Sequence, residues 1–274
     1  DLIDKHQLVD KNTALLNIHF PKNIEQLNQA QRRLKFEELF FVQLQLIHKN
    51  RLSKLKFKGY PFESVGDYFN HFYKHILPFE LTGAQKKVIK EIRKDLGSGA
   101  QMNRLLQGDV GSGKTMVAVL AMLLALDNNY QSALMAPTEI LAEQHGISFT
   151  SWFKQLGIDV AWLGGKTKGK ERTATLEKIA SGEAQMIVGT HALLADKVKF
   201  KKLGLLIIDE EQHFGVNQKE KIKNLKSDIH ILSLTATPIP RTLQMSLVGL
   251  RDLSIISTAP VNRQTIKTEV LSFK

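Results

Sequence analysis

Residues 108–115 read Gly108-Asp109-Val110-Gly111-Ser112-Gly113-Lys114-Thr115: a glycine, four residues, a second glycine, a lysine and a hydroxyl side chain. That spacing suits the gripping of a phosphate chain. Glycines let backbone amides approach the anion, the lysine supplies a point charge, and a threonine hydroxyl can ligate magnesium. Leu105-Leu106 leads in as a strand and Met116 to Leu126 leads out as a helix, so successive amides and the helix N-terminus face one way. Gly108, Gly111, Ser112, Gly113, Lys114 and Thr115 are therefore expected to bind a nucleoside triphosphate. Lys114 is expected on the β- and γ-phosphates and Thr115 on Mg²⁺. A second set follows about ninety residues later, where Leu205-Leu206-Ile207-Ile208 runs into Asp209-Glu210. Acids at the carboxyl end of a buried strand sit where a metal-holding aspartate belongs. Asp209 is expected to hold the Mg²⁺ and Glu210 to act as the general base on an attacking water. An acid after a strand is also a common helix cap, so each motif gains its weight from the other.

Such motifs need a sheet to hold them. From Phe79 onward, short apolar runs alternate with helical segments, the pattern of a mostly parallel, doubly wound α/β sheet covered on both faces. Strands are predicted near 104–107, 131–136, 159–163, 185–189, 205–209, 230–235 and 253–257. Helices are predicted near 83–96, 114–127, 139–155, 168–181, 217–226 and 240–249. Upstream, the stretch from Ile24 to about Leu55 lacks glycine and proline and carries Leu27, Ala30, Leu34, Leu39, Val42 and Leu46 at helical spacing, which predicts one long amphipathic helix. Residues 59–80 form an aromatic connector with Tyr60, Phe62, Tyr68, Phe69, Phe72 and Tyr73. Packing against the next domain is favoured for these rings over stacking on bases. The expected organisation is an N-terminal helical linker over 1–78, an ATP-binding domain over 79–260, and the start of a further linker over 261–274.

The composition narrows the partner. Lysine and arginine number 38 against 27 acids, a net charge of +11 with pI near 9.6. This charge fits either a polyanion, first of all nucleic acid, or a generally basic solvated surface. No cysteine is present, which excludes disulfides and thiolate metal sites and fits a reducing compartment such as the cytoplasm. The longest apolar run, Met116 to Leu126, is too short to cross a bilayer. The first residue is not methionine, so the chain reads as a piece of a longer protein.

Phe79-Glu80-Leu81-Thr82-Gly83-Ala84-Gln85, the phosphate loop, Ala136-Pro137-Thr138-Glu139, Gly189-Thr190-His191, Asp209-Glu210-Glu211-Gln212 and Thr235-Ala236-Thr237 occur in that order. Together they resemble the first RecA-like motor domain of superfamily 2 helicases, over nearly the whole chain. The resemblance implies ATP as the nucleotide, with Gln85 reading the adenine and Phe79 stacking on it. It implies that Pro137, Thr138, Gln144, Gly165, Thr190 and His191 touch the nucleic-acid backbone, and that Gln212, Thr235, Thr237 and Arg241 couple nucleotide state to nucleic-acid grip.

Two groups within that superfamily are similar. Ile18-His19-Phe20-Pro21, Arg32-Arg33-Leu34-Lys35-Phe36-Glu37-Glu38-Leu39 and Leu106-Gln107-Gly108-Asp109-Val110 resemble the RecG group, which remodels branched DNA in recombination and repair. Arg251-Asp252-Leu253-Ser254 and the run from Asp209 to Val216 resemble the Mfd group, the transcription-repair coupling translocases. The RecG pattern of Asp-Glu-Gln-His is interrupted here by Glu211, which leaves the roles of Gln212 and His213 open. The N-terminal helix decides for a RecG-like motor. Its implied partners are double-stranded or branched DNA and a second RecA-like domain, with RNA polymerase as the partner if the Mfd likeness prevails. A different class of reading is a DNA- or protein-binding module without turnover, against which the intact set of Lys114, Thr115, Asp209 and Glu210 argues.

Overall fold

In the computed structural model, residues 2–165, 167–223, 228–237 and 251–258 are described. Arg241, the helix expected at 240–249 and the linker expected at 261–274 lie outside the described residues.

Among the described residues, 2–53 form one compact unit and those from 54 onward a second. In the first, α1 (Leu2–Lys5) and α2 (Lys11–His19) precede α3 (Ile24–Lys56). Asp10 caps α2 by accepting from the Thr13 amide at 2.9 Å. Lys11 and Arg33 both pair with Glu37 of α3, at 2.6 and 2.8 Å. The expected long helix forms, but of its apolar positions only Ala30 is buried, and Leu39 and Val42 are exposed. The reason is length: at about 1.5 Å per residue α2 spans about 14 Å and α3 about 50 Å, so α2 can cover only part of α3.

The second unit follows the predicted alternation closely. It contains α4 (Asp67–His71), α5 (Gly83–Leu96), β1 (Asn103–Gly108), α6 (Lys114–Asp127), β2 (Gln131–Met135), α7 (Glu139–Phe153), β3 (Val160–Leu163), α8 (Gly169–Ser181), β4 (Met186–Gly189), β5 (Leu203–Asp209), α9 (Val216–Lys223), β6 (His230–Thr235) and β7 (Asp252–Ile256). The seven strands pair in parallel in the order β3-β4-β2-β5-β6-β1-β7. Alternate residues feed opposite faces, as strand geometry demands. Leu106, Leu134, Val188, Leu205, Ile207, Leu232 and Leu234 join one core with α5, α6 and α7, while Ala133, Met135, Ile187, Leu206 and Ile208 join the other. Helix α6 is buried from Met116 through Leu126, which explains why its sequence is apolar all round.

The aromatic connector belongs physically to this unit, so the compact units part near residue 53, upstream of the boundary expected at 78. Phe62, Phe72 and Ile76 enter the core, and Tyr60, Tyr68 and Phe69 pack on it. Asp127, the last residue of α6, accepts from the amides of Gly66, Tyr68 and Phe69 at 2.9–3.2 Å and so caps α4.

His230, fully buried, fastens the same region. Its Nδ1 accepts from the Met102 amide at 2.9 Å, so Nε2 carries the proton and donates to the Tyr60 carbonyl at 2.6 Å. Burial holds its pKa below the ordinary imidazole value, against the opposing pull of the Tyr60 carbonyl and Asp95. Protonation would put a second N–H against the Met102 donor. The unfolded chain, titrating near pH 6.5, binds the proton more readily. The stability from this group is therefore complete above about pH 6.5 and is lost as pH falls below it. Thermal midpoints should drop between pH 7.5 and 5.5. In His230→Gln, less stable by about 1–3 kcal/mol because a buried donor loses its partner, that drop should shrink. An equal drop in the variant would remove His230 as its source.

Candidate nucleotide and nucleic-acid site

Because the strands are parallel, every loop after a strand opens on one edge of the sheet, and strand order divides that edge into two halves. The phosphate loop follows β1, Asp209-Glu210 ends β5, and Ala236-Thr237 follows β6, on the side β5-β6-β1. Pro137-Thr138 follows β2, Gly164-Gly165 follows β3, and Thr190-His191 follows β4, on the side β3-β4-β2.

The phosphate loop turns through Gly111 and Gly113, at φ +78° and +85°. A side chain at Gly113 would be strained and would also place its Cβ 2.3 Å from the Gln85 amide nitrogen. At Gly108 a Cβ would come 2.5 Å from the Ser112 hydroxyl, so the loop closes tightly on itself. Lys114, the first residue of α6, donates to the carbonyls of Gly108 at 2.6 Å and Asp109 at 3.0 Å. Burial lowers its pKa, opposed by the negative charges of Glu210, Asp209 and Asp109. The lysine and both acids thus lie within electrostatic reach of one another, with β6 between their strands.

Gln85 is placed in an unexpected way. It is fully buried, accepts from the Thr82 amide at 2.8 Å in a capping box, and donates to the Ser112 carbonyl at 2.8 Å. One bond at each end of its amide ties α5 to the phosphate loop. Phe79 lies exposed, three residues before the cap.

The two acids are anchored to different elements. Asp209 Oδ2 lies 2.9 Å from His145 Nε2 on α7. Glu210 has left-handed backbone, φ 47° and ψ 56°, a conformation that costs about 1–3 kcal/mol outside glycine. Its amide donates to the Leu234 carbonyl at 2.9 Å, and its carboxylate accepts from the Ala236 amide at 3.0 Å and from Gln212. Gln212 also donates to the Thr237 hydroxyl and accepts from Thr235. The structure therefore brings together Glu210, Gln212, Thr235 and Thr237. Glu211 faces elsewhere: it accepts from both terminal nitrogens of Arg251 and from the Ser233 hydroxyl. Burial pushes its pKa up, but Arg251 and Ser233 prevail and hold the carboxyl below its ordinary value. His213 is exposed.

On the other half, Thr138 caps α7 by accepting from the Leu141 amide at 3.3 Å, and Thr190, itself buried, accepts from the Ala192 amide. Gln144 and His191 are exposed, Gly165 is exposed and Pro137 half-buried. Glu139 joins these segments: one carboxylate oxygen accepts from the Gly165 amide at 2.5 Å and the Thr190 hydroxyl at 3.4 Å, while the other is buried without a partner.

The donor set fits Mg²⁺ and a nucleoside triphosphate. The loop offers an amide-lined turn, an ammonium group and a buried Ser112 hydroxyl with no partner, at the N-terminus of a 14-residue helix. Magnesium takes oxygen ligands, usually one or two from protein beside phosphate and water. The Thr115 hydroxyl and the Asp209 carboxylate are of that kind. Accordingly no cluster of three acids, histidines or cysteines suited to a metal occurs among the described residues.

A family model described as DEAD/DEAH box helicase matches residues 82–246, more than half of the chain. The chain belongs to the DEAD/DEAH box helicase family. It is 45% identical over 274 residues to the ATP-dependent DNA helicase RecG of Synechocystis sp., covering 100% of this chain and 33% of that protein. It is 51% identical over 247 residues to RecG of Pasteurella multocida, covering 89% and 35%. A solved structure of RecG bound to a three-way DNA junction superimposes with a TM-score of 0.76 at 38% identity, over 97% of this chain and 35% of that one. The UvsW helicase of bacteriophage T4, 18% identical with a TM-score of 0.51, shares the fold. The chain thus spans about a third of the length of the curated relatives it matches.

Within this helicase domain, His145 is the residue that sequence reasoning did not name, while Glu139, Glu211 and Arg251 were quoted within motifs without the contacts they make here. Each depends on which strands are neighbours. The one legible signal was the departure at Glu211, which the structure accounts for through Arg251.

Proposed function

We propose that this chain is the ATP-binding motor lobe of a RecG-like DNA helicase that remodels branched DNA, with a second RecA-like domain elsewhere in the full-length protein. The observation that carries the reading is the division of one sheet edge. Lys114 and both acids share one half, and three segments rich in amides and hydroxyls, suited to sequence-independent phosphate contacts, share the other. Bound Mg²⁺–ATP supplies the phosphoanhydride to be cleaved. Lys114 and the loop amides orient its phosphates, Thr115 and Asp209 hold the cation, Glu210 takes the proton of the attacking water, and Gln85 keeps the loop in place. Gln212, Thr235, Thr237 and Arg241 are assigned to coupling. The high identity to RecG supports branched DNA as the polymer, and RNA polymerase is not part of the proposal. Among the described residues no helix is long and apolar enough to cross a membrane, and the proposed location is the cytoplasm.

ATP hydrolysis by the full-length protein should be stimulated most by a three-way junction, less by plain duplex and least by RNA. Equal stimulation by RNA would overturn the branched-DNA reading. In the same protein Lys114→Ala should lose about 10- to 100-fold in nucleotide affinity, the worth of about 1.5–3 kcal/mol for a charge-assisted hydrogen bond. Its thermal midpoint should stay within about 4 °C of wild type, because the substitution also removes a buried charge. Unchanged ATP affinity would take the phosphate loop out of the site.

A further inference from the structure

We propose that His145 is a positioning residue that orients the Asp209 carboxylate and, through α7, links the cation site to the nucleic-acid half of the edge. The inference rests on the function proposed above and adds a residue to it. A carboxylate can only accept, so His145 Nε2 donates its N–H to Asp209 Oδ2 at 2.9 Å. Both side chains are only 13% exposed, where such a bond is less screened than at the surface. The ring is itself held: it packs at 5.8 Å on Phe149, four residues along the same helix face, and Phe149 is fully buried against Trp152 and Phe153.

Helix α7 is what makes the contact consequential. Its cap is Thr138, and its first residue, Glu139, is bonded to Gly165 and Thr190, so its N-terminal end holds the three segments assigned to the nucleic-acid backbone. Six residues later, about 9 Å along a helix, the same rigid element touches the acid assigned to the cation. Register supports this: β2 and β5 are hydrogen-bonded neighbours with Met135 opposite Ile208, so the start of the 136–138 segment lies beside Asp209. Glu210 is tied to Ala236 on the opposite side. Of the two acids, one therefore reports to the segment after β6 and the other to α7.

The test uses the full-length protein, a fluorescent ADP derivative titrated at rising Mg²⁺ or in EDTA, and a labelled three-way junction with and without that nucleotide. His145→Leu fills the ring's volume without a donor, and His145→Gln restores a donor near the position of Nε2. In His145→Leu the Mg²⁺ needed for half-maximal binding should rise about tenfold, as for loss of a hydrogen-bond partner behind a metal ligand. Affinity in EDTA should stay within about twofold of wild type, because nucleotide binding there does not involve the cation. The factor by which nucleotide alters junction affinity should shrink towards one, with nucleotide-free affinity unchanged, since coupling is reciprocal between the two sites. His145→Gln should recover most of both effects. Wild-type Mg²⁺ dependence and coupling in His145→Leu overturn the proposal. So does equal weakening in EDTA, or a loss of folding that His145→Gln shares, since either makes the residue merely structural. If the wild-type protein shows no Mg²⁺-dependent nucleotide binding, the motor reading itself fails.

Discussion

The 274-residue chain alone should hydrolyse ATP, with saturating DNA, about 10³ to 10⁵ times more slowly than the full-length protein. The site as proposed supplies phosphate grip, cation ligands and a base, but phosphoryl transfer also needs positive charge placed beside the leaving and transferred oxygens. That charge commonly comes from an arginine finger. Among the described residues, the arginine of β1 and the one just before β7 are already committed. Arg104 donates to Asp95 and Ser254, and Arg251 is paired with Glu211. The helicase resemblance implies that a second motor domain completes the site, and the curated relatives are about three times longer than this chain. The check is to compare turnover of this chain and the full-length protein at matched nucleotide occupancy. Rates within tenfold would mean that the chain holds its own finger and that the two-lobe reading is wrong.

Glu210→Gln in the full-length protein should lower DNA-stimulated turnover by about 10² to 10⁴, the usual worth of a general base, while ATP affinity changes by no more than about threefold, since the residue is assigned to the water and not to the phosphates. The exchange preserves shape. The left-handed backbone at residue 210 and its bond to the Leu234 carbonyl do not depend on the side chain, and an amide oxygen can still accept from Ala236 and Gln212. What is lost is the capacity to take a proton. Single-turnover hydrolysis separates this step from product release. A wild-type rate would assign the water to another group.

The same two residues show how far sequence reading reached. Leu205 to Ile208 is a short apolar run, β-branched at Ile207 and Ile208, of the kind a strand buried on both faces carries, so the position of Asp209 and Glu210 at a strand end was legible, as was the phosphate loop between β1 and α6. Both motifs are contiguous, and the backbone geometry of the phosphate loop is set locally by its glycines and the helix that follows. The limits of α5 and α6 were also legible: the ranges predicted near 83–96 and 114–127 match Gly83–Leu96 and Lys114–Asp127. By contrast, Leu39 and Val42 belong to the apolar spacing that predicted α3, yet both are exposed. Periodicity reports which face is apolar and not how much neighbouring structure exists to cover it.

By itself the sequence determined the α/β alternation, the phosphate loop, the acids at 209 and 210, and the basic charge, because each is written in neighbouring residues or in simple counts. Only the tertiary structure decided that Gln85 braces the loop, that Glu139 gathers three loops, that Glu211 belongs to Arg251 and that His145 holds Asp209. Those contacts follow from the strand order β3-β4-β2-β5-β6-β1-β7, which brings together residues 26 to 64 positions apart. Such an order is chosen by packing of the whole sheet, and no local propensity encodes it.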